Sequence, residues 1–154
     1  MSTVHVGDPA PDVVAYSHEG RRVALSDFRG TKSVVLFFYP KNGTAICTKE
    51  ACSFRDAYED FVQAEAVVIG VSSDSPESHQ AFAGSHRLPF TLLSDPDGAL
   101  RKAFGVSKTL GLLPGRVTFV IDKAGIVRHI FSAQFAAERH VAEALAIVRQ
   151  LVGG

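Results

Sequence analysis

The chain has 154 residues, 46% of them hydrophobic, and its 16 basic and 16 acidic side chains give a formal net charge of zero. A zero net charge disfavours a nucleic-acid partner, which would require a basic excess, and the longest apolar run, "VVLFFY", is far too short to span a membrane. The length is that of one ordinary domain, so we expect a single domain over residues 1–154.

The first half of the chain alternates strand and helix patterns. "DVVAYSHEGRRVAL" predicts two short strands around a glycine-containing turn. "KSVVLFFYP", a β-branched and aromatic run, is typical of a central strand covered on both faces. Over residues 44–63, apolar side chains recur at spacings of three and four, which predicts a helix with one buried face. The buried face would carry Cys47, Ala51, Phe54, Tyr58 and Phe61.

The second half continues this alternation and closes with a hairpin and a helix. "AVVIGVSS" predicts a second central strand, and "DSPESHQAFAGSH" predicts a helix with Pro76 in its first turn. "FTLLSD" predicts a short strand, and "PDGALRKAFG" predicts a helix that ends at Gly105. "RVTFVIDKAGIVRHIFSA" predicts a β-hairpin that turns at residues 122–125, and "AAERHVAEALAIVRQL" predicts an amphipathic helix. This order of elements indicates an α/β fold, with a mixed sheet and helices on both of its faces.

Both cysteines lie in the helix predicted over residues 44–63, but in different surroundings. Cys47 falls in the first turn, where free backbone N–H groups and the helix dipole favour the thiolate, the reactive form of cysteine. The helical phase turns Cys47 inward and Cys52 outward. Lys41 and Lys49 are close enough in sequence to add positive charge. The pattern therefore predicts an inward, reactive thiol accompanied by an outward, ordinary one.

Structural interpretations of the same residues stay open at this point. A cysteine on an apolar helix face is often a small core residue. Thr44 lies where a helix N-cap is expected, and Arg116, at the start of the "VTFVID" strand, is by itself typical of a solvated charge. No metal site is expected, because none of the six histidines has a ligand-like spacing to another histidine or to the cysteines.

The N-terminal segment and the cysteine content favour a cytoplasmic protein. "MSTVHVGDPAPD" lacks the basic-then-apolar order of a secretory signal. Two cysteines are too few for a disulfide scaffold. We therefore expect a soluble intracellular protein with reactive thiols, which binds no membrane.

Residues 40–47, "PKNGTAIC", resemble the Pro-x-x-x-Thr-x-x-Cys signature of the peroxiredoxins. The longer segment "FFYPKNGTAICTKEACSFRD" resembles the subgroup called peroxiredoxin Q or bacterioferritin comigratory protein, in which a second cysteine follows five positions after the first, as Cys52 does here. "LLSDPDGALRKAFGV" and "GRVTFVIDKAGIVR" also resemble segments of that subgroup, so the similarity covers nearly the whole chain. One difference is "TAIC", where the subgroup often has Thr-Pro-Gly-Cys.

The resemblance implies a thioredoxin fold with an N-terminal β-hairpin extension and a central mixed sheet flanked by helices. It implies an antioxidant, thiol-dependent peroxidase that reduces hydrogen peroxide and organic hydroperoxides without a metal or bound cofactor. Cys47 would attack the peroxide and become a sulfenic acid, and Cys52 would condense with it to an intramolecular disulfide. Thioredoxin or a similar dithiol would reduce that disulfide.

The same resemblance implies roles for further residues. The Thr44 hydroxyl, the Cys47 backbone amide and the Arg116 guanidinium would donate to the peroxide oxygens, and Arg116 would also stabilise the thiolate. Pro40 would shield the pocket from water. Glu50 would be a contact partner of an arginine near the pocket.

Two other classes stay open on the sequence alone. A thioredoxin-fold thiol–disulfide oxidoreductase is disfavoured because the chain has no Cys-x-x-Cys motif. A non-enzymatic thioredoxin-fold binding module would have inert cysteines. For the assembled protein we expect a monomer or a weak dimer.

Overall fold

The computed structural model describes residues 4–106, 108–109, 113–114, 116–133 and 136–153, as a mixed sheet flanked by helices. The strands are β1 (Val14–Ser17), β2 (Arg22–Ala24), β3 (Ser33–Phe38), β4 (Ala66–Ser72), β5 (Thr91–Ser94), β6 (Lys108–Thr109), β7 (Leu113–Pro114), β8 (Val117–Ile121) and β9 (Val127–Ser132). The helices are α1 (Ala45–Asp56), α2 (Tyr58–Gln63), α3 (Pro76–His86), α4 (Ala99–Phe104) and α5 (Ala137–Gly153), with a 3₁₀ turn at Leu25–Phe28. None of the helices in these ranges is long and apolar enough to cross a membrane.

The buried strand β3 is the centre of a seven-stranded sheet ordered β2-β1-β5-β4-β3-β8-β9. All six of its side chains are buried, β4 pairs with it in parallel, and β8 pairs with it antiparallel. Val35 and Phe37 pack into the core beneath α1, α2 and α5, whereas Leu36 and Phe38 pack into the opposite core with α4. The apolar run of β3 follows from this position, because a strand covered on both faces cannot alternate with polar residues.

The predicted N-terminal hairpin extends the sheet at its β5 edge. β1 and β2 pair antiparallel, and β1 also pairs with β5. At the opposite edge, β8 and β9 form the predicted second hairpin. The mixed sheet, the flanking helices and the N-terminal hairpin are thus confirmed.

The helix predicted over residues 44–63 is two helices, α1 and α2, separated at Ala57 (φ −97°, ψ 7°). The apolar periodicity does not reveal this break, because the buried face continues across it. Phe54 before the break and Phe61 after it are both fully buried, with ring centroids 5.7 Å apart. The 3₁₀ turn and the small β6–β7 pair were also not predicted, whereas Pro76 begins α3 and a left-handed Gly105 ends α4 as expected.

The register between β3 and β8 places two distant parts of the chain side by side. Phe38 at the end of β3 pairs with Val117 at the start of β8. Arg116 therefore lies next to the segment that leads from β3 into α1, which carries Cys47. The helix α5 packs against both α1 and β8, and so covers this junction from the other side.

Candidate active site

Cys47 lies in the first turn of α1, and its side chain is 1% exposed. Its backbone N–H belongs to the first-turn amides that have no acceptor within the helix, and these carry the positive end of the helix dipole. Cys52 lies in the same helix and is partly exposed, and both cysteines are free thiols. The predicted contrast between an inward and an outward thiol is therefore present in the structure.

The buried guanidinium of Arg116 connects Cys47 to Glu50. Its Nη2 donates to the Sγ of Cys47 at 3.3 Å, and its Nη1 donates to the Oε1 of Glu50 at 2.6 Å. Arg116 is 3% exposed, so the interpretation as a solvated charge is wrong. Burial lowers the pKa of Arg116, but Glu50 and Cys47 raise it by more, so the guanidinium stays charged. A fixed positive charge at this distance favours the thiolate form of Cys47.

Glu50 is fully buried on the inner face of α1. Burial raises the pKa of Glu50 to about 7, although the neighbouring Arg116 lowers it. The second carboxyl oxygen, Oε2, has no hydrogen-bond partner among the described residues and lies 3.6 Å from the Nδ1 of His140. Glu50 is thus the arginine partner that the resemblance implied, and it has a further neighbour that the sequence did not indicate.

His140 is the residue of this site that sequence reasoning missed. It lies on α5, is fully buried, and contacts the Thr118 hydroxyl through Nδ1 and the Ala133 carbonyl oxygen through Nε2, each at 2.7 Å. Burial is the main cause that lowers the pKa of His140. The available signal was its position on the apolar face of α5, in register with the buried Ala137, Val141, Ala144 and Val148.

The remaining predicted residues surround the thiol loop. Pro40 is partly buried and lies two residues after the end of β3. Thr44 is exposed and occupies the N-cap position of α1, but its side chain caps no amide and donates instead to the Lys41 carbonyl at 3.1 Å. Lys49 is exposed and pairs with Glu138 of α5 at 3.0 Å. The positive charge that contacts the thiol therefore comes from Arg116.

Asn42 anchors the loop that leads into α1. Its backbone N–H donates to Asp74 at 2.8 Å, and its side-chain oxygen accepts from the Tyr39 hydroxyl at 2.6 Å. Its side-chain amide lies 2.9 Å from Nδ1 of His79, whose Nε2 contacts the Leu93 carbonyl at 3.0 Å. Burial lowers the pKa of His79, which suits a neutral ring that accepts from Asn42. These bonds hold the loop to Asp74, which follows β4, and to α3, whose His79 in turn contacts β5.

The described part of the chain contains no cluster of three or more histidine, cysteine or acidic side chains that could hold a metal ion. The site brings together a thiol, a buried cation and a buried carboxyl group.

Comparison with known proteins gives consistent matches over almost the entire chain. The model of the AhpC/TSA family matches residues 6–130. The chain is 49% identical over 149 residues to the chloroplastic peroxiredoxin Q of Triticum aestivum, covering 96% of this chain and 68% of that one. It is 49% identical over 152 residues to the chloroplastic peroxiredoxin Q of Sedum lineare, covering 98% and 81%.

Solved structures match equally well. The peroxidoxin BcpB of Mycobacterium tuberculosis superposes with a TM-score of 0.89 at 37% identity, over 96% of this chain and 98% of that one. A cysteine-to-serine mutant of PrxQ from Xylella fastidiosa superposes with a TM-score of 0.88 at 28% identity, over 98% and 99%.

The buried carboxyl group predicts a pH-dependent contribution to stability. A folded-state pKa raised from 4.5 to about 7 means that the folded protein binds more protons than the unfolded chain in this interval. The stability that Glu50 contributes should be present below pH 4.5 and be lost as the pH rises through about 7. In a Cys47→Ser background, which removes titration of that thiol, urea denaturation gives the unfolding free energies of the protein with Glu50 and of its Glu50→Gln variant. The free energy of the protein with Glu50 should fall relative to that of the variant as the pH rises over this interval.

The matched control is Glu59→Gln, which removes an exposed acid from α2. Its difference in unfolding free energy from the same background should stay nearly constant with pH. A difference in unfolding free energy that also stays constant with pH for Glu50→Gln would contradict a buried carboxyl group with a raised pKa.

Proposed function

The chain belongs to the AhpC/TSA family and is a thiol-dependent peroxidase of the peroxiredoxin Q type with a thioredoxin fold, and we propose that Cys47 is its peroxidatic residue. The observation that carries this proposal is the hydrogen bond from the buried Arg116 to the buried Sγ of Cys47. A thiol–disulfide oxidoreductase and an inert binding module, the other classes that the sequence left open, do not agree with these relatives.

The chemistry begins with attack of the Cys47 thiolate on one oxygen of a hydroperoxide. A sulfur–oxygen bond forms, the oxygen–oxygen bond breaks, and the departing oxygen leaves as water or an alcohol after it gains a proton. Both oxygens gain negative charge as their bond breaks, so donors fixed in advance lower the barrier most. Arg116 and the first-turn amide of Cys47 are the donors that this structure supports.

Thr44 and Pro40 complete the proposed substrate pocket. The Thr44 hydroxyl donates to the Lys41 carbonyl, so it must rotate away from that bond before it can donate to a peroxide oxygen. Its oxygen lone pairs can accept the O–H of a hydroperoxide without such a rotation. Pro40, between β3 and the loop, has no N–H to attract water and shields the approach to Cys47.

The substrates that we propose are hydrogen peroxide and organic hydroperoxides. The bacterioferritin comigratory protein of Xanthomonas campestris, a solved structure 28% identical to this chain, has alkyl peroxide reduction activity. The donors around Cys47 would contact the two peroxide oxygens, which all hydroperoxides share. Cytoplasmic location and a monomeric or weakly dimeric state stay predictions from the sequence.

The proposed second step is an intramolecular disulfide between Cys47 and Cys52. Both lie in α1, and residues five apart in a helix are separated by about 7.5 Å along the axis and rotated by about 140°. A disulfide requires Cα atoms about 4.4–6.8 Å apart with side chains facing each other. Part of α1 must therefore unwind before the bond can form. Thioredoxin or a similar dithiol would then reduce the disulfide by exchange.

Two anchors limit how far α1 can unwind. Before the helix, Asn42 is held by Asp74, Tyr39 and His79. Within it, the fully buried Phe54 stacks on Phe37, with ring centroids 4.5 Å apart. Opening between these anchors removes the small side chains of Cys47 and Ala51 from the core but leaves the large Phe54 in place, so it costs much less than global unfolding. We therefore place the unwound segment at residues 44–53.

Replacement of each cysteine should impair the peroxidase reaction at a different step. Cys47→Ser should abolish peroxidase turnover, because it removes the only thiol that contacts Arg116 among the described residues. Cys52→Ser should still consume one equivalent of peroxide, stall as a sulfenic acid, and proceed to sulfinic acid under excess peroxide. Mass spectrometry of the intact protein before and after peroxide addition distinguishes these states.

The matched control is Ser53→Ala, which alters the position next to Cys52 without removing a thiol and should turn over normally. The assignments would have to be exchanged or abandoned if Cys52→Ser lost the first reaction as completely as Cys47→Ser.

Formation of the disulfide should be visible as local loss of helix. Hydrogen exchange of the oxidised protein, compared with the reduced protein, should show deprotection of the amides of residues 48–57, because these amides donate to the carbonyls of residues 44–53 in the intact helix. The strand β4 should keep its protection, since it belongs to the core. Unchanged protection of these amides in a fully oxidised sample, or disulfides that are only intermolecular, would contradict the proposed disulfide between Cys47 and Cys52.

A further inference from the structure

A chain of four buried side chains leads from the reactive thiol to α5. Cys47 accepts from Arg116, Arg116 donates to Oε1 of Glu50, and Oε2 of Glu50 lies 3.6 Å from Nδ1 of His140. These side chains are at most 3% exposed. Charges on them are therefore screened far less than charges at the surface, and a proton gained or lost at one end acts on the other.

The hydrogen bonds of His140 determine which ring nitrogen carries a proton. Nε2 is 2.7 Å from the carbonyl oxygen of Ala133, which can only accept, so Nε2 is protonated. In the neutral ring, Nδ1 is then an acceptor, and the Thr118 hydroxyl at 2.7 Å donates to it. The Thr118 hydroxyl occupies the single lone pair of Nδ1, so a neutral His140 presents no proton to Glu50, and it can accept one from Glu50 only when that hydroxyl turns away.

An ionised Glu50 opposite a neutral His140 would leave a buried carboxylate oxygen without a donor. Oε2 of Glu50 has no other hydrogen-bond partner within the described residues. One additional proton resolves this, because Glu50 can donate it to Nδ1 or His140 can donate it to Oε2. A shortening of the 3.6 Å separation by about 0.6 Å gives a normal hydrogen bond in either case.

We infer that His140 is a positioning residue of this peroxidase, which together with Glu50 holds one buried proton and thereby leaves the positive charge of Arg116 to the Cys47 thiolate. With that proton, the Glu50–His140 pair is neutral, and the charges of thiolate and guanidinium balance. Without it, two anions share one cation in a buried site, which destabilises the thiolate. The inference rests on the proposed role of Cys47.

The titration behaviour of the two groups agrees with this geometry. Burial raises the pKa of Glu50 to about 7, so the carboxyl group keeps its proton at pH values below about 7. Burial also lowers the pKa of His140, so the proton resides mainly on Glu50 and is donated to Nδ1.

Other ionisable groups around the four side chains do not supply this proton. Burial raises the pKa of Tyr39, on the β3 side, so this residue stays neutral. On α1, α5 and β9 the neighbouring charges lie nearer the surface and are paired or stacked: Lys49 with Glu138, His129 with Glu143, and Arg139 over Phe131.

The first test measures the thiolate of Cys47 directly, in a Cys52→Ser background where one thiol titrates. Ultraviolet absorbance gives the fraction of thiolate as a function of pH. His140→Leu, which offers no acceptor for the proton that Glu50 donates, should move the midpoint of thiolate formation upward by about one pH unit. The rate of reaction with one equivalent of hydrogen peroxide should fall roughly tenfold at a pH well below the original midpoint.

A second background separates this role from packing. In Glu50→Gln the carboxylate is absent, so a further His140→Leu substitution should change neither the midpoint nor the rate. An equal loss in both backgrounds would mean that His140 only packs α5, and would overturn the inference. His129→Leu, at a partly exposed histidine near α5, is the matched control and should leave both quantities unchanged.

A third measurement needs no substitution at His140. Nitrogen NMR of the His140 ring should show the Nε2–H form. The pH midpoint at which the ring signals titrate should be lower in Cys47→Ser, because the negative charge of the thiolate no longer favours a proton on the Glu50–His140 pair. An equal midpoint in the proteins with Cys47 and with Cys47→Ser would overturn the inference. A protein that titrates as expected but reduces no peroxide would contradict the proposed function and not the proton-sharing pair.

Discussion

The guanidinium of Arg116, buried between the sulfur of Cys47 and the carboxyl group of Glu50, is the interaction on which the rest of the site depends. Its position comes from the antiparallel register of β3 and β8, which places the start of β8 beside the loop entering α1. A buried cation is costly without partners, so Arg116 requires the acidic groups around it as much as they require Arg116. The sheet, the thiol helix and the charge balance are therefore parts of one arrangement.

The helix α1 has two requirements that oppose each other. Its intact first turn polarises Cys47 and buries the thiol, whereas the proposed disulfide with Cys52 can form only when the same turns open. The structure separates these requirements along the chain, because Asn42 and Phe54 hold either end, while the segment between them contributes the small side chains of Cys47 and Ala51 to the apolar core. The large aromatic side chains of the core therefore stay in place when this segment opens.

Much of this arrangement could be predicted from the sequence, and the parts that could not share a physical reason. The continuous apolar run of β3 and the helical phase of Cys47 are local patterns, and both agree with the structure. Whether Arg116 is solvated or buried depends on strand register, which is set by residues far away in the sequence. The position of His140 on the apolar face of α5 was an ambiguous signal, because a single histidine on such a face has the same local pattern as a core residue.

The measurement that tests the central role of Arg116 most directly is the first reaction of the reduced protein with hydrogen peroxide. Stopped-flow mixing of Cys52→Ser with one equivalent of peroxide isolates attack by Cys47 from disulfide formation and from recycling. Replacement of Arg116 by methionine in that background keeps an apolar stem of similar length but removes the charge and the hydrogen bonds to Cys47 and Glu50. We expect the rate to fall by about 10² or more, the effect of losing a donor to a developing oxyanion. An unchanged rate, in a variant that remains folded, would show that the buried guanidinium serves the fold and not the reaction.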